Sequence, residues 1–204
     1  MVFLKWLKAW WKATEPISQE FYLEDMDEYL RQKQIEDKQA RKVIKPQLEQ
    51  FVRMAFQHLQ PEPLNRLVRR VIRALVSEGD IQEKSCALRD GLIADIWHST
   101  RIPYGFLCDA RYFEDEHIDY LNKMLIANGV EEEFRYFSSD GLNLPTKLIE
   151  RFVNFLEPIG WTCIGLDTGG DEFCIFIVKT GVYPDILDTA TRFEISITDK
   201  PHRM

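Results

Sequence analysis

Trp161-Thr162-Cys163-Ile164-Gly165-Leu166 and Phe173-Cys174-Ile175-Phe176-Ile177-Val178 are two apolar runs separated by Asp167-Thr168-Gly169-Gly170-Asp171-Glu172. Runs of this length without polar alternation read as strands buried on both faces. The glycine pair flanked by aspartates is hairpin punctuation. A hairpin with no solvent face needs a covering layer on each side, so the surrounding sequence is read for helices and further strands. Downstream, Phe193, Ile195 and Ile197 alternate with Glu194, Ser196 and Thr198, which predicts a one-sided final strand near a sheet edge.

Upstream, Tyr104-Gly105-Phe106-Leu107-Cys108 reads as a short buried strand ending at Asp109. Ile118, Leu121, Met124 and Leu125 form a helical stripe over residues 115–128, stopped by Asn128-Gly129. Phe134-Arg135-Tyr136-Phe137 predicts another strand, and Pro145 opens a helix reaching Leu156 with Gly160 beyond its end. Residues 101–204 therefore form an α+β region with a small mixed β-sheet, a C-terminal hairpin and flanking helices.

The preceding residues are helical in pattern. A polar helix is predicted over residues 18–40, with acids gathered at residues 20–28 and bases at residues 31–42, the gradient that the helix dipole favours. Pro46 is expected to start a second helix, carrying Leu48, Phe51, Val52, Ala55, Phe56 and Leu59, which Pro61 and Pro63 break. Leu64, Leu67, Val68, Val71, Ile72 and Leu75 line a third, closed by Ser77-Glu78-Gly79-Asp80. A fourth is expected over residues 82–97. The boundaries are thus 1–14 for a Lys/Trp amphipathic helix, 15–100 for a helical layer and 101–204 for the α+β region, the last two expected to pack as one compact unit.

Residues 1–12 hold three of the five tryptophans and three lysines. At about 100° per residue, Lys5, Lys8 and Lys12 share one arc opposite Phe3, Trp6, Leu7, Trp10 and Trp11. The stretch is shorter than the roughly 20 apolar residues that span a bilayer, and its lysines interrupt any secretory signal. It is expected either to fold onto the body or to touch a membrane or partner surface. The whole chain carries 26 basic and 33 acidic residues, a net charge of −7. An acidic body argues against nucleic acid, whose phosphates demand positive charge, and favours a basic protein partner. Cys86, Cys108, Cys163 and Cys174 form no C-x-x-C pair, which excludes a zinc ribbon and fits a reducing, cytoplasmic setting, with a peripheral place on the inner membrane face as the alternative expectation.

Asp167-Thr168-Gly169 matches the aspartic-protease triplet, but such folds are nearly all-β, so a turn Asp that satisfies amides is the better reading. Asp95 with His98 and Glu114 with His117 have the spacing of di-metal helical ligands, yet helix ends account for both pairs. Arg66, Arg69, Arg70 and Arg73 form a basic stripe whose simplest fate is pairing or solvation. Serine-nucleophile, Walker and dinucleotide signatures are absent from the sequence.

Gly105-Phe106-Leu107-Cys108-Asp109-Ala110-Arg111, Asn128-Gly129-Val130-Glu131-Glu132-Glu133-Phe134 and Leu166-Asp167-Thr168-Gly169-Gly170-Asp171 together resemble a small bacterial domain family of unknown function, over about residues 101–180. Small acidic α+β proteins of this kind are similar to bacterial immunity proteins, which neutralise a toxin by occluding its active site. The resemblance implies no catalytic residue. The expected function is a non-catalytic binding protein of immunity or antitoxin type, contacting a basic partner through Glu131, Glu132, Glu133, Asp167, Asp171 and Glu172. One alternative is a peripheral membrane protein anchored by Phe3, Lys5, Trp6, Lys8, Trp10, Trp11 and Lys12. Another is a hydrolase or metal enzyme built on Asp109, Asp167 or the Glu114 and His117 pair. No cofactor or metal is assigned.

Overall fold

The computed structural model describes residues 19–77, 80–93, 102–109, 111, 116–136 and 144–201. The chain divides into two units, Met1–Arg41 and Lys42–Met204. Helix α1 runs from Gln19 to Ala55. Its part in the first unit is polar, and Gln32 donates to Glu36 one turn on at 2.8 Å. The expected Lys/Trp helix at residues 1–12, with Phe3, Lys5, Trp6, Lys8, Trp10, Trp11 and Lys12, lies outside the described residues.

Two helices were predicted where α1 is one. Pro46 sits inside it, where its ring removes one hydrogen bond but imposes a φ that the helix accepts. Leu48, Phe51, Val52 and Ala55 follow immediately and are all buried, so tertiary packing outweighs the break. Helix α2 spans Pro61–Ala74 with Pro61 at its start, where a missing N–H is harmless. Of the stretch read as its glycine stop, Ser77 and Asp80 pair with each other as strand partners. Strand β1 (Val76–Ser77) pairs antiparallel with β2 (Asp80–Ile81), and the Gln82 amide donates to the Leu75 carbonyl at 2.9 Å. Helix α3, Lys84–Leu92, is shorter than predicted. Arg70 donates to the carbonyls of Leu92 at 3.2 Å, Ile93 at 3.3 Å and Ile102 at 2.8 Å, satisfying acceptors that a longer helix would have used internally.

Strand β3 is Gly105–Asp109, helix α4 Glu116–Ala127 and helix α5 Pro145–Leu156. The expected strand at Phe134 is irregular backbone. Its peptide is satisfied by one side chain, the Asn122 amide donating to the Phe134 carbonyl at 3.0 Å and the Phe134 N–H donating to the Asn122 carbonyl oxygen at 2.8 Å. Strands β4 (Trp161–Leu166) and β5 (Glu172–Lys179) form the hairpin. Helix α6, Tyr183–Arg192, follows, and strand β6 is only Ile197–Thr198. The sheet order is β3-β5-β4-β6, antiparallel at every pairing. The sheet is therefore not mixed: β3 and β4 run the same way but never pair, because β5 lies between them.

Side-chain alternation sends the hairpin into two cores. Ile164, Leu166, Cys174, Phe176 and Val178 pack with α1, α2, α3 and α6 through residues such as Phe51, Leu67, Leu88 and Ile186. Cys163, Phe173, Ile175 and Ile177 pack with α4 and α5 through Leu121, Met124, Leu148 and Phe152. Each fully buried Ile or Phe contributes about 1.5–3 kcal/mol, so one hairpin anchors both helical layers.

Gly91 sets how closely α2 and α3 approach. A Cβ there would stand 2.5 Å from the Val71 Cα and 2.8 Å from its N, inside any real contact distance. Gly91→Ala should therefore destabilise the fold by about 1–3 kcal/mol through overpacking, read as a lowered urea midpoint. An unchanged midpoint would contradict the close approach.

Candidate functional site

A cavity of about 460 Å³ opens where three chain reversals meet: the start of α3, the β4–β5 turn and the end of α6. Residues 82–85 and 167–169 line it with Ile44, Glu194 and Ser196.

Helix α3 begins without a cap. Glu83 occupies the N-cap position in extended backbone, and its side chain makes no capping bond. The helical ladder starts with the Ala87 amide donating to the Glu83 carbonyl at 2.9 Å. The amides of Lys84, Ser85 and Cys86 precede that bond and carry the positive end of the helix dipole. Ser85 is only 7% exposed and is one of the residues that line the cavity. No histidine or carboxylate accepts its proton, so it lacks the activated arrangement of a serine nucleophile.

The turn is pinned from two directions. Asp167 Oδ1 accepts from the Gly169 amide at 2.9 Å, and Gly169 has a φ of 73°, the left-handed conformation glycine tolerates. The Asp167 amide donates to the Ser196 carbonyl at 3.0 Å. Glu172 Oε1 accepts from Thr168 Oγ1 at 3.1 Å and from Arg89 Nη1 at 2.9 Å, while Arg89 Nε donates to Asp90 at 2.8 Å. The two carboxylates hold the Arg89 guanidinium firmly protonated, Asp90 contributing most, against the opposing effect of burial. Arg89 thereby ties α3 to β5.

The third wall is under backbone strain. The Ile195 amide donates to the Ala190 carbonyl at 2.8 Å and the Glu194 amide to the Thr191 carbonyl at 3.2 Å, the pattern of a Schellman stop. That motif favours glycine at the left-handed position, yet Glu194 holds it with a φ of 55°. Lys84 donates to the Phe193 carbonyl and lies 3.7 Å from the Glu194 carboxylate, which is itself 89% exposed. The cavity is thus bipolar: amides, a hydroxyl and an ammonium form one wall, and Glu83, Asp167 and Glu194 carry acid around it.

Of the six acids predicted to contact a partner, Asp167 lies in this cavity. Asp171 is exposed beside it, 3.5 Å from Arg111. Glu172 is occupied by Arg89 and Thr168. Glu131, Glu132 and Glu133 are exposed but leave from the other end of β4: Asn128, just before them, bonds His58 at 3.0 Å, and that ring packs edge-on against Trp161, the first residue of β4. The six do not form one surface. Glu83, Lys84, Ser85 and Glu194 were missed: the first three read as the ordinary first turn of the helix expected over residues 82–97, and Glu194 as the polar face of the expected final strand.

The enzyme alternatives gain no constellation. Asp109 Oδ1 accepts the Arg111 amide at 2.7 Å, and the His117 ring packs against Phe106 at 5.7 Å. Asp95, His98 and Glu114 lie outside the described residues, among which no group of three or more His, Cys, Asp or Glu is placed to hold a metal. Burial pushes the Cys108 thiol up to about 12, and those of Cys163 and Cys174 upward as well, which makes all three inert. In the arginine stripe, Arg70 serves backbone carbonyls and Arg66 lies 3.6 Å from Glu62. No helix among the described residues is long and apolar enough to cross a membrane.

His58 is a core group with a defined tautomer. Asn128 Nδ2 donates to the Met124 carbonyl at 2.8 Å, which leaves its oxygen to accept from His58 Nε2. Burial lowers the His58 pKa below 6.5, Asn128 opposes the shift, and Lys179, whose Nζ lies 3.9 Å over the Trp161 ring, adds to it.

Residues 9–201 match the family described as Domain of unknown function (DUF6630). The match extends well beyond the stretch in which the sequence resemblance was seen. No curated protein and no solved structure matches the chain.

Two outcomes follow from these contacts. As pH falls through about 6.5, the unfolded chain takes up a proton that folded His58 resists, so its stabilising contribution is full above that value and is lost towards the lower folded pKa. Urea midpoints measured between about pH 7 and pH 5 should fall for the wild type and fall less for His58→Gln. Glu194→Gly should raise stability by up to about 1 kcal/mol by relieving the left-handed backbone. A lowered midpoint would mean that the Lys84 contact outweighs that strain.

Proposed function

We propose that this chain, which belongs to the DUF6630 family, is a non-catalytic binding protein of immunity or antitoxin type that takes a basic partner on the acidic rim of the α3 cavity. The observation that carries this reading is the disposition of exposed carboxylates. Glu83 and Glu194 lie on two walls of the cavity, Asp167 on the third, and Asp171 and Asp109 continue the charge along the hairpin end. Arg111 is the cation placed beside Asp109 and Asp171. Exposed charges of one sign around a concave floor steer an oppositely charged partner and exclude wrong ones, acting on association rate and specificity more than on final affinity. The net charge of −7 has the sign this requires, and the unactivated Ser85 and buried thiols fit a role in binding rather than turnover. The surface centres on the cavity and leaves out Glu131, Glu132 and Glu133. A cytoplasmic setting accords with the free cysteines.

The test neutralises carboxylates that hold no backbone amide: Glu83→Gln, Asp171→Asn and Glu194→Gln together. The wild type should retain a basic protein from host extract at low salt and release it at high salt, and the triple variant should retain about tenfold less. Equal retention by both would remove the acidic rim from the reading. If the wild type instead floats with anionic liposomes and loses that property when residues 1–14 are deleted, the peripheral membrane reading from the Lys5, Lys8 and Lys12 arc takes its place.

A further inference from the structure

We propose that the surface where the exposed arginines of α2 meet the acidic rim pairs with a second copy of this chain about a two-fold axis, the arginines of each copy on the acids of the other. The inference rests on the acidic-rim reading and deepens it by naming an occupant of the rim. Helix α2 carries four arginines and one acid in 14 residues, on a chain whose net charge is −7. Arg66, Arg69 and Arg73 recur at three and four residues, which sets them on one face of the helix over about 10 Å, and all three are exposed. Arg70 is engaged by the carbonyls of Leu92, Ile93 and Ile102. The other three keep donors to offer. Arg66 lies 3.6 Å from Glu62 with both side chains more than half exposed, an ion pair of little worth. Arg69 donates through its Nε to the Asn65 carbonyl at 3.2 Å, which leaves the outer nitrogens of the guanidinium for a carboxylate.

The matching acids lie alongside. The Gln82 amide donates to the Leu75 carbonyl at 2.9 Å and Val76 pairs with Ile81, so the chain doubles back and brings Glu83 beside the last turn of α2, which carries Arg73. Glu83 is exposed, and Glu194, 89% exposed, lies 3.7 Å from the neighbouring Lys84. A positive strip and a negative strip therefore share a border at the foot of β1 and β2. Such a surface is self-complementary: a second copy turned half way round an axis through the border sets each strip on its opposite, and every contact occurs twice. The charges decide the occupant. Nucleic acid or an anionic membrane laid on the arginines would meet Glu83 and Glu194 at the border, and like charge opposes both. A foreign acidic protein satisfies the arginines alone, whereas a second copy satisfies both strips at once. Because the same carboxylates serve the dimer and the basic partner, each excludes the other from the rim.

Sedimentation equilibrium of the full chain reads the association at low and high salt for the wild type, for Arg69→Glu with Arg73→Glu, and for Glu83→Lys with Glu194→Lys. The wild type should form a dimer at low salt whose dissociation constant rises about tenfold or more at high salt. Each reversed variant alone sets like charges against each other and should dimerise about tenfold more weakly or worse. Mixed in equal amounts, the two reversed variants should form a heterodimer as tight as the wild-type dimer, because both strips again face opposite charge. That rescue also shows both variants to be folded. Glu131→Lys with Glu132→Lys, reversed at exposed positions in another part of the sequence, should not rescue the arginine-reversed variant. A wild type that stays monomeric at low salt overturns the inference, and retention of a basic protein by that monomer keeps the acidic rim. A dimer that survives either reversal overturns it too, since it forms through another surface. Rescue by the Glu131 and Glu132 control equal to that by the rim variant reduces the association to net charge and sinks the proposal. The expected dimer and rescue, in a chain that retains no basic protein, would remove the basic partner and leave the dimer standing.

Discussion

Strand β5 has no solvent face: every residue from Phe173 to Val178 is buried, and the strand is hydrogen-bonded on both edges, to β3 and to β4. This is the constraint on which the structure depends. A strand with neither a free face nor a free edge obliges the chain to supply two helical layers and two neighbouring strands. A one-residue slip would exchange Phe176 with Ile175 between two differently shaped cores. The register is therefore fixed, and with it the position of the β4–β5 turn. That turn forms a wall of the cavity, so the site is placed by packing energy from residues that never touch it.

The cavity walls are less relaxed than the core that positions them. Helix α3 starts without a side-chain cap, and Glu194 holds a backbone conformation that favours glycine. A cap and a glycine at these positions would each be locally favourable. Strain of the kind held at Glu194 persists only where the surrounding structure over-determines it. Here the determinants are the Arg89 bridge from α3 to Glu172 and the bond from the Asp167 amide to Ser196.

The hairpin was legible because its signal is local and redundant: continuous apolar strands, a glycine turn and helices with clear stripes on either side. Elements decided by tertiary competition were not. Pro46 is a break by its own chemistry and helical by virtue of Leu48, Phe51 and Val52 behind it. Phe134 has strand-like neighbours, but Asn122 satisfies its peptide from a helix. Helix α6 carries Pro184, Ile186 and Ala190 at helical spacing, a signal lost between two stretches that read as strands. The site residues were hidden for a related reason. Glu83, Lys84 and Ser85 acquire their meaning from the β4–β5 turn and the end of α6, which the fold brings beside the start of α3 from far along the chain.

Glu172 shows how a single residue divides sequence inference from structure. By composition it is one more acid in an acidic turn, equivalent to Asp171. In the fold its carboxylate takes two donors, Arg89 and Thr168, whereas Asp171 stays exposed. An acid that neutralises a partly buried arginine no longer adds free charge to the surface. The negative potential around the cavity therefore comes from Glu83, Asp167 and Glu194, with Asp171 alongside. What Glu172 contributes is a tie: through Arg89 it joins α3 to β5, and through Thr168 it braces the turn.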